Sequence, residues 1–346
     1  MKYLYLKIIG IFFLVTIGNF IIFLIFPDKF YYRGYEYCKD FFCLDPWVGN
    51  SKGDLSRQNL LFYQESWKTE TSFNKYGYRK TFKCNSKPSI LFFGDSYVAG
   101  AGLSDRDVIN FQFTEKYNVS SANFAGLHPF LFEKFNHEEV KYLIYLTTER
   151  SFGGRFYKET RAPNFNEYIY KPRLEHSNLF GNFLSRLNEL KRWHFFFLTI
   201  NFVKRLSNDF HIYLKNDEKE FLQDEFSYNE KDVMVSINKI VEINNFFKKK
   251  NIKFIYIPIP SKERIYTPNL LYKKYKDTYN GFQKLIINLQ KNKIDFIDLR
   301  SDFKKSYSNN NHVYYRTDSH WNRLGVKITI DKIFEKINYK NLNKCN

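Results

Sequence analysis

The stretch from Pro88 to Gly102, Pro-Ser-Ile-Leu-Phe-Phe-Gly-Asp-Ser-Tyr-Val-Ala-Gly-Ala-Gly, constrains the fold of this chain more than any other. Ile90 to Phe93 is a short apolar run between turn residues. Such a run is expected as a strand buried on both faces, as in a parallel sheet covered by helices. At its carboxyl end the polarity changes at once, through Gly94, Asp95 and Ser96. Ligands of open α/β sheets bind outside the carboxyl ends of the strands. Gly94 lets the backbone turn sharply there, and Ser96 projects from the strand end. With a base in reach it is a nucleophile. Two other readings of the same residues stand beside this one. One is a plain Gly-Asp-Ser turn. The other is a phosphate-binding loop that uses Gly100 and Gly102, although the spacing is not G-x-G-x-x-G and no Lys-Ser/Thr pair follows.

The strand is one beat of an alternation. Val119–Phe124, Tyr142–Leu146, Phe254–Ile259 and Asp295–Leu299 read as further strands. Helical periodicity runs over 105–116, 233–250, 269–290 and 322–337, and Asn309-Asn310-Asn311 marks a loop. Alternating strands and helices predict an α/β fold: a three-layer α/β/α sandwich, flavodoxin-like, around a central parallel sheet of about five strands. From Gly153 to Tyr228 the rhythm breaks, which predicts an insertion or lid at about 151–230, after the third strand. The apolar run Phe195–Val203 inside it is too short to cross a bilayer.

Ile8 to Phe26 carries no charge. As a helix it is about 28 Å long, close to the thickness of the bilayer core. Lys2 and Lys7 precede it, and Pro27-Asp28-Lys29 follows without a small-x-small cleavage site. The segment is therefore expected as an uncleaved N-terminal transmembrane helix rather than a signal peptide. Lys29, Arg33 and Lys39 nearly balance the basic residues ahead of it, so the charge rule decides orientation weakly. The expected arrangement is a single-pass protein with a cytoplasmic amino terminus and an extracytoplasmic main domain. The domains are then a membrane anchor at 1–27, a membrane-proximal segment at 28–72 and the α/β domain at 73–346.

Hydrophobic residues make up 44% of the chain and aromatics 20%, enough for a full core. Lys plus Arg number 54 against 36 Asp plus Glu, a net +18. That charge suits anionic lipid, an acidic glycan or nucleic acid. The basic residues are spread along the chain and no nucleic-acid motif accompanies them, so no nucleic-acid partner is expected. Cys38, Cys43, Cys84 and Cys345 lack zinc-ligand spacing with nearby histidines, and no metal site is expected. Cys38 and Cys43 are close enough in sequence to pair in an oxidising compartment, and four buried free thiols are the alternative.

The second half of a site lies far downstream, in Thr317-Asp318-Ser319-His320-Trp321-Asn322-Arg323-Leu324-Gly325. Side chains two apart in extended backbone share a side. Asp318 can thus hold one imidazole nitrogen of His320 while the other accepts the proton of Ser96. Alternatively Asp318 only caps the helix that begins near Asn322.

Gly94-Asp95-Ser96 early, Gly126 after the second strand and Asp318-x-His320-Trp321-Asn322-x-x-Gly325 late resemble the SGNH (GDSL-type) hydrolase superfamily. Asn74-x-x-Gly77-x-Arg79, Glu149-Arg150 and Pro260-x-Lys262 are similar to the branch that includes the alginate O-acetylation proteins. The resemblance covers roughly 75–337, minus the insertion. It implies Ser96 as nucleophile, His320 as general base and then acid, and Asp318 as its orienter, with no cofactor. It implies an oxyanion hole from the N–H groups of Ser96 and Gly126. The family's Gly-x-Asn-Asp after the third strand is missing, and Thr147-Thr148-Glu149 stands in its place. Thr148 is one substitute donor, with Asn123 and Asn310 as others.

Tyr97 and Trp321 either line a sugar-binding groove or pack in the core. Lys262 either steadies a substrate anion or is solvated. Glu149 and Arg150 read as an ion pair bordering the cleft, with direct catalysis as the alternative. The function implied is a membrane-anchored serine esterase or O-acyltransferase acting on ester groups, expected to be acetyl, of a cell-surface glycan. Lipid ester hydrolysis is the second reading, and a non-catalytic glycan-binding or assembly protein the third.

Overall fold

Four apolar runs pair side by side as parallel strands: β1 (Ile90–Gly94), β2 (Ser121–Ala125), β3 (Tyr142–Thr148) and β4 (Lys253–Ile259). A computed structural model of the protein describes residues 84–125, 139–152, 230–269, 276–315 and 319–345, with residues 10, 14, 17, 52, 53, 69, 71 and 72. The order across the sheet is β2-β1-β3-β4. After β1 the chain goes first to one side and then to the other. The crevice at the carboxyl ends of β1 and β3 is therefore the switch point of a doubly wound sheet.

Alternation along the strands splits the core in two. Ile90, Phe92, Ile144 and Ile257 face one cluster, while Leu91, Phe93, Leu143 and Tyr256 face another. Helices α1 (Ile109–Tyr117), α5 (Arg300–Ser308) and α6 (Arg323–Lys336) feed Phe113, Phe303 and Ile330 into the first cluster. Helices α2 (Glu230–Lys249) and α4 (Lys276–Lys291) cover the opposite face. Along α2 the buried apolar positions are Val233, Ile237, Ile240, Ile243 and Phe247, the stripe that one face of a helix requires. The result is a three-layer α/β/α arrangement. A short helix, α3 (Lys262–Tyr266), opens directly off the end of β4, with Ser261 accepting from the N–H of Arg264 as its cap.

The expected fifth strand is reduced to a single parallel bridge between Tyr256 and Phe296. Its physical reason lies at Asp298, whose Oδ1 accepts from the N–H of Arg300 at 3.1 Å while Leu299 already has helical backbone. The chain leaves extended geometry there and enters α5, a helix that the sequence pattern did not reveal. The sheet thus has four strands among the described residues.

Gly94 sits where no side chain fits. A Cβ on it would lie 2.1 Å from the carbonyl oxygen of Leu146 on β3 and 2.5 Å from Val98 Cγ2. Neither strand can move without breaking the β1–β3 register, Gly94 against Leu146. Gly94→Ala is expected to destabilise the domain by about 3 kcal/mol, the upper end of ordinary overpacking. A urea unfolding midpoint equal to that of the parent protein would contradict this.

At the opposite edge of the sheet the two ends of the domain are joined. Cys84 and Cys345 form a disulfide with Cα atoms 5.0 Å apart, across a sequence separation of 261. In the chain-entropy account so long a loop contributes on the order of 5 kcal/mol. Neither cysteine is therefore the free thiol that the sequence left open; Cys38 and Cys43 lie outside the described residues. Around the disulfide, Ser120 donates its N–H to the carbonyl of Asn343 and Cys345 to that of Asn118.

The expected anchor at 8–26, the membrane-proximal segment 28–72 and the insertion at 151–230 fall almost wholly outside the described residues. Among those described, Gly10, Leu14 and Ile17 are helical, and no helix is long and apolar enough to cross a membrane.

Candidate active site

The turn after β1 winds tightly on itself. The carbonyl of Asp95 accepts from the N–H groups of Val98 and Ala99, and that of Ser96 accepts from Ala101. Gly100 and Gly102 have φ of 71° and 78°, left-handed values that glycine adopts without strain. Asp95 fastens the turn to the sheet. Its Oδ1 accepts from the N–H of Tyr97 at 3.0 Å and its Oδ2 from the N–H of Thr148 on β3 at 2.8 Å. The carboxylate thus bridges both strands of the switch point. Ser96 stands exposed on this turn, and its N–H has no acceptor among the described residues.

The second segment arrives as a narrow hairpin before α6. Tyr314 and Trp321 form an antiparallel bridge, and the N–H of Tyr315 donates to the carbonyl of His320 at 3.1 Å. Tyr266 on α3 holds the incoming strand, its hydroxyl accepting from the N–H groups of Val313 and Tyr314 at 2.9 and 3.0 Å. The Tyr314 hydroxyl donates to the carbonyl of Pro260. Burial pushes this phenol well above its usual range, so it stays a donor at any working pH. On the outgoing side Asn322 caps α6, its Oδ1 accepting from the N–H groups of Leu324 and Gly325. Asn322 is the residue at this cap, and Asp318 lies outside the described residues.

These supports bring His320 Nε2 to 2.8 Å from Ser96 Oγ, across a sequence separation of 224. His320 is 8% exposed, and Tyr97 lies against its ring with centroids 4.9 Å apart. A hydroxyl bonded to a held imidazole is the pairing that activates a serine.

The other residues singled out in the sequence fall elsewhere. Tyr97 and Trp321 are 2% and 0% exposed and meet edge to face in the core, so neither lines a groove. Both are large apolar rings at the point where the two turns meet, and burial there excludes water from the site floor. Asn123 is buried too; its amide donates to the carbonyl of Val98 at 2.6 Å and to Asn110 Oδ1 at 3.2 Å. It steadies the serine turn from below and does not face substrate. Lys262 is 1% exposed, not solvated. Thr148 commits its N–H to Asp95. Asn310 is exposed at the end of α5. Gly126 lies outside the described residues.

Glu149 has a partner that the sequence reading missed. Its carboxylate receives both Nε and Nη2 of Arg264 in a forked pair that is buried on both sides, while the side chain of Arg150 lies outside the described residues. It also accepts from the N–H of Ser261 at 3.0 Å. The guanidinium lies over the rings of Tyr279 and Phe282, 4.9 and 4.6 Å from their centroids. This joins the carboxyl ends of β3 and β4 and sets α3, hence Tyr266, under the histidine hairpin. On the same floor Thr147 Oγ1 and the Tyr256 hydroxyl are 2.6 Å apart.

Residues 218–345 match the family model described as SGNH hydrolase-like domain, acetyltransferase AlgX. The matched stretch runs from ahead of α2 through His320 to the chain end, and Ser96 lies outside it. No curated protein matches the chain in sequence. Among solved structures, a GDSL-like lipase from Bacteroides thetaiotaomicron is similar over 71% of this chain and 85% of its own, with 10% identity and a TM-score of 0.35. The acetyl xylan esterase AlAXEase is similar over 72% of this chain and 99% of its own, with 13% identity and a TM-score of 0.37. An acetyl xylan esterase from Geobacillus stearothermophilus is similar over 76% of this chain and 100% of its own, with 11% identity and a TM-score of 0.33. These likenesses are slight. From residue 218 to residue 345 the chain matches the SGNH hydrolase-like, AlgX-type acetyltransferase domain, which is the superfamily its serine and histidine motifs resemble.

Proposed function

We propose that this protein is a serine esterase or O-acyltransferase that works through an acyl-serine. The observation that carries the reading is the 2.8 Å contact between Ser96 Oγ and His320 Nε2 at the sheet's switch point. In the proposed course Ser96 Oγ attacks the ester carbonyl carbon while His320 Nε2 takes its proton. The tetrahedral oxyanion meets the N–H groups of Ser96 and Gly126, and Thr148 is the candidate side-chain donor. The intermediate collapses, the alcohol leaves with the proton from His320, and an acyl-Ser96 remains. Water or a sugar hydroxyl then attacks the acyl carbon with its proton passing to His320, the bond from that carbon to Ser96 Oγ breaks, and His320 returns the proton to Oγ as the acid or the new ester leaves. Asp318 orients the imidazole throughout. Each group this course needs belongs to the chain itself, and no cofactor enters it.

The reading extends to an acetyl ester of a cell-surface glycan, acted on by a domain held at the membrane through residues 8–26 on the extracytoplasmic side. The Cys84–Cys345 disulfide supports that side, since such bonds persist in oxidising compartments. The match to an acetyltransferase family over residues 218–345 supports acetyl as the group moved.

One observation favours a non-catalytic glycan-binding protein instead. The amide of Asn123 is committed inside the fold, so this asparagine, among the described residues, does not replace the side-chain donor of the missing Gly-x-Asn-Asp. A serine-directed fluorophosphonate, with mass spectrometry of the adduct, separates the two. Modification of Ser96 and turnover of a chromogenic acetate ester are expected. Acetyl appearing on an added glycan would assign transfer over hydrolysis, and cleavage of long-chain esters alone would assign a lipid substrate. An unmodified Ser96, no turnover, and glycan binding unchanged in Ser96→Ala would overturn the enzymatic reading.

A further inference from the structure

The two turns of the site touch through a reciprocal pair of tyrosines. Tyr97 follows the serine, and its hydroxyl donates to the carbonyl of Ser319, next to His320, at 2.5 Å. Tyr315 belongs to the histidine hairpin, and its hydroxyl donates to the carbonyl of Gly102, at the end of the serine turn, at 2.7 Å. Each turn therefore lends a phenol to the backbone of the other. The two bonds, with the bond from the N–H of Tyr315 to the carbonyl of His320, close a loop around the Ser96–His320 contact.

We propose that the hydroxyls of Tyr97 and Tyr315 are positioning residues for acyl transfer: they set the register of the histidine hairpin against the serine turn. The proposal rests on the enzymatic reading of the site. Other contacts between these segments have a different character. The packing of Tyr97 on His320 and Trp321 is ring against ring, which resists separation and permits sliding. The ion pair from Arg323 Nε to Asp107 Oδ1, 3.1 Å long, involves an arginine side chain that is 78% exposed. An exposed pair of this kind holds little. Hydrogen bonds to fixed carbonyls are directional and lose strength steeply off line. They are the contacts able to hold Oγ and Nε2 within the few tenths of an ångström that proton transfer requires. A shift of about 1 Å at a reacting pair lowers rate by about a hundredfold.

Phenylalanine at either position removes the hydroxyl and keeps the ring. The test uses the full-length protein and compares Tyr97→Phe and Tyr315→Phe with Tyr117→Phe, a control whose hydroxyl donates to Asp331 between α1 and α6. Fluorophosphonate labelling rate, kcat and KM for a chromogenic acetate ester, and Tm are read for each. Tyr97→Phe and Tyr315→Phe are expected to lower labelling rate and kcat by about 10- to 100-fold with KM within about twofold. Tyr117→Phe is expected to lower Tm alone. Wild-type rates in both site variants, with Tm lowered as in the control, would make the hydroxyls mere packing and overturn the proposal while the enzymatic reading stands. A wild-type protein that neither labels nor turns over would overturn both. Should Tyr97→Phe fail to fold, the half-buried Tyr315→Phe decides alone.

Discussion

Ser96→Ala is expected to remove nearly all turnover of an acetate ester, lowering kcat by about 10⁴- to 10⁶-fold, and His320→Ala to do about the same. The double variant is expected to be no slower than either single one. The serine without its base is a poor nucleophile, and the base without its serine has no proton to take. Groups that act as a unit are lost as a unit. Ser96→Ala is also expected to keep the parent Tm, because the side chain is exposed on a turn whose shape comes from Asp95, Gly100 and Gly102. Steady-state kinetics on the three variants, with thermal melts beside them, provides the check. A double variant slowed by the product of the two single losses would mean that the two residues act separately, and the pairing would have no chemical meaning.

Arg264→Met has the largest expected effect on stability. It takes the forked guanidinium away from Glu149, which is fully buried. A buried pair broken from one side typically destabilises by about 3–5 kcal/mol, chiefly through the stranded charge. Methionine keeps the volume against Tyr279 and Phe282, so a cavity contributes little. Adding Glu149→Leu removes the charge and should recover much of the loss. Recovery will be incomplete, because the N–H of Ser261 loses its acceptor. Urea unfolding of the single and double variants measures this. A loss below about 1 kcal/mol in Arg264→Met would show that water or another group compensates the carboxylate, which excludes the pair as the support of α3.

The strands of the central sheet were legible because each is an apolar run bounded by turn residues, and burial on both faces demands that composition. Helix α2 was legible for a related reason, since its buried stripe recurs at helical spacing. Helix α5 was not: only Phe303 in it is buried, and a polar surface helix carries no periodic signal. The fifth strand failed because Asp295 to Leu299 has strand composition, while Asp298 and Arg300 together start a helix. Local propensity was overruled by one side chain's hydrogen bonds.

The site divides along the same line. Ser96 and His320 could be named from the sequence, since strand end, glycine and Asp-x-His are local patterns. Tyr97 and Trp321 could not be assigned. An aromatic beside a catalytic residue looks the same whether it faces a sugar or the core, and only burial separates the two. Glu149 had an arginine beside it in the chain, yet Arg264 is its partner, brought by the pairing of β3 with β4.

Composition and pattern by themselves determined an α/β sandwich with a serine at a strand end and a histidine far downstream, because burial and backbone geometry act over a few residues at a time. Tertiary structure alone decided that these two groups meet at 2.8 Å, that crossed tyrosines hold them there and that Cys84 closes on Cys345. Contacts between segments hundreds of positions apart depend on directions in space, and a linear order of residues does not contain them.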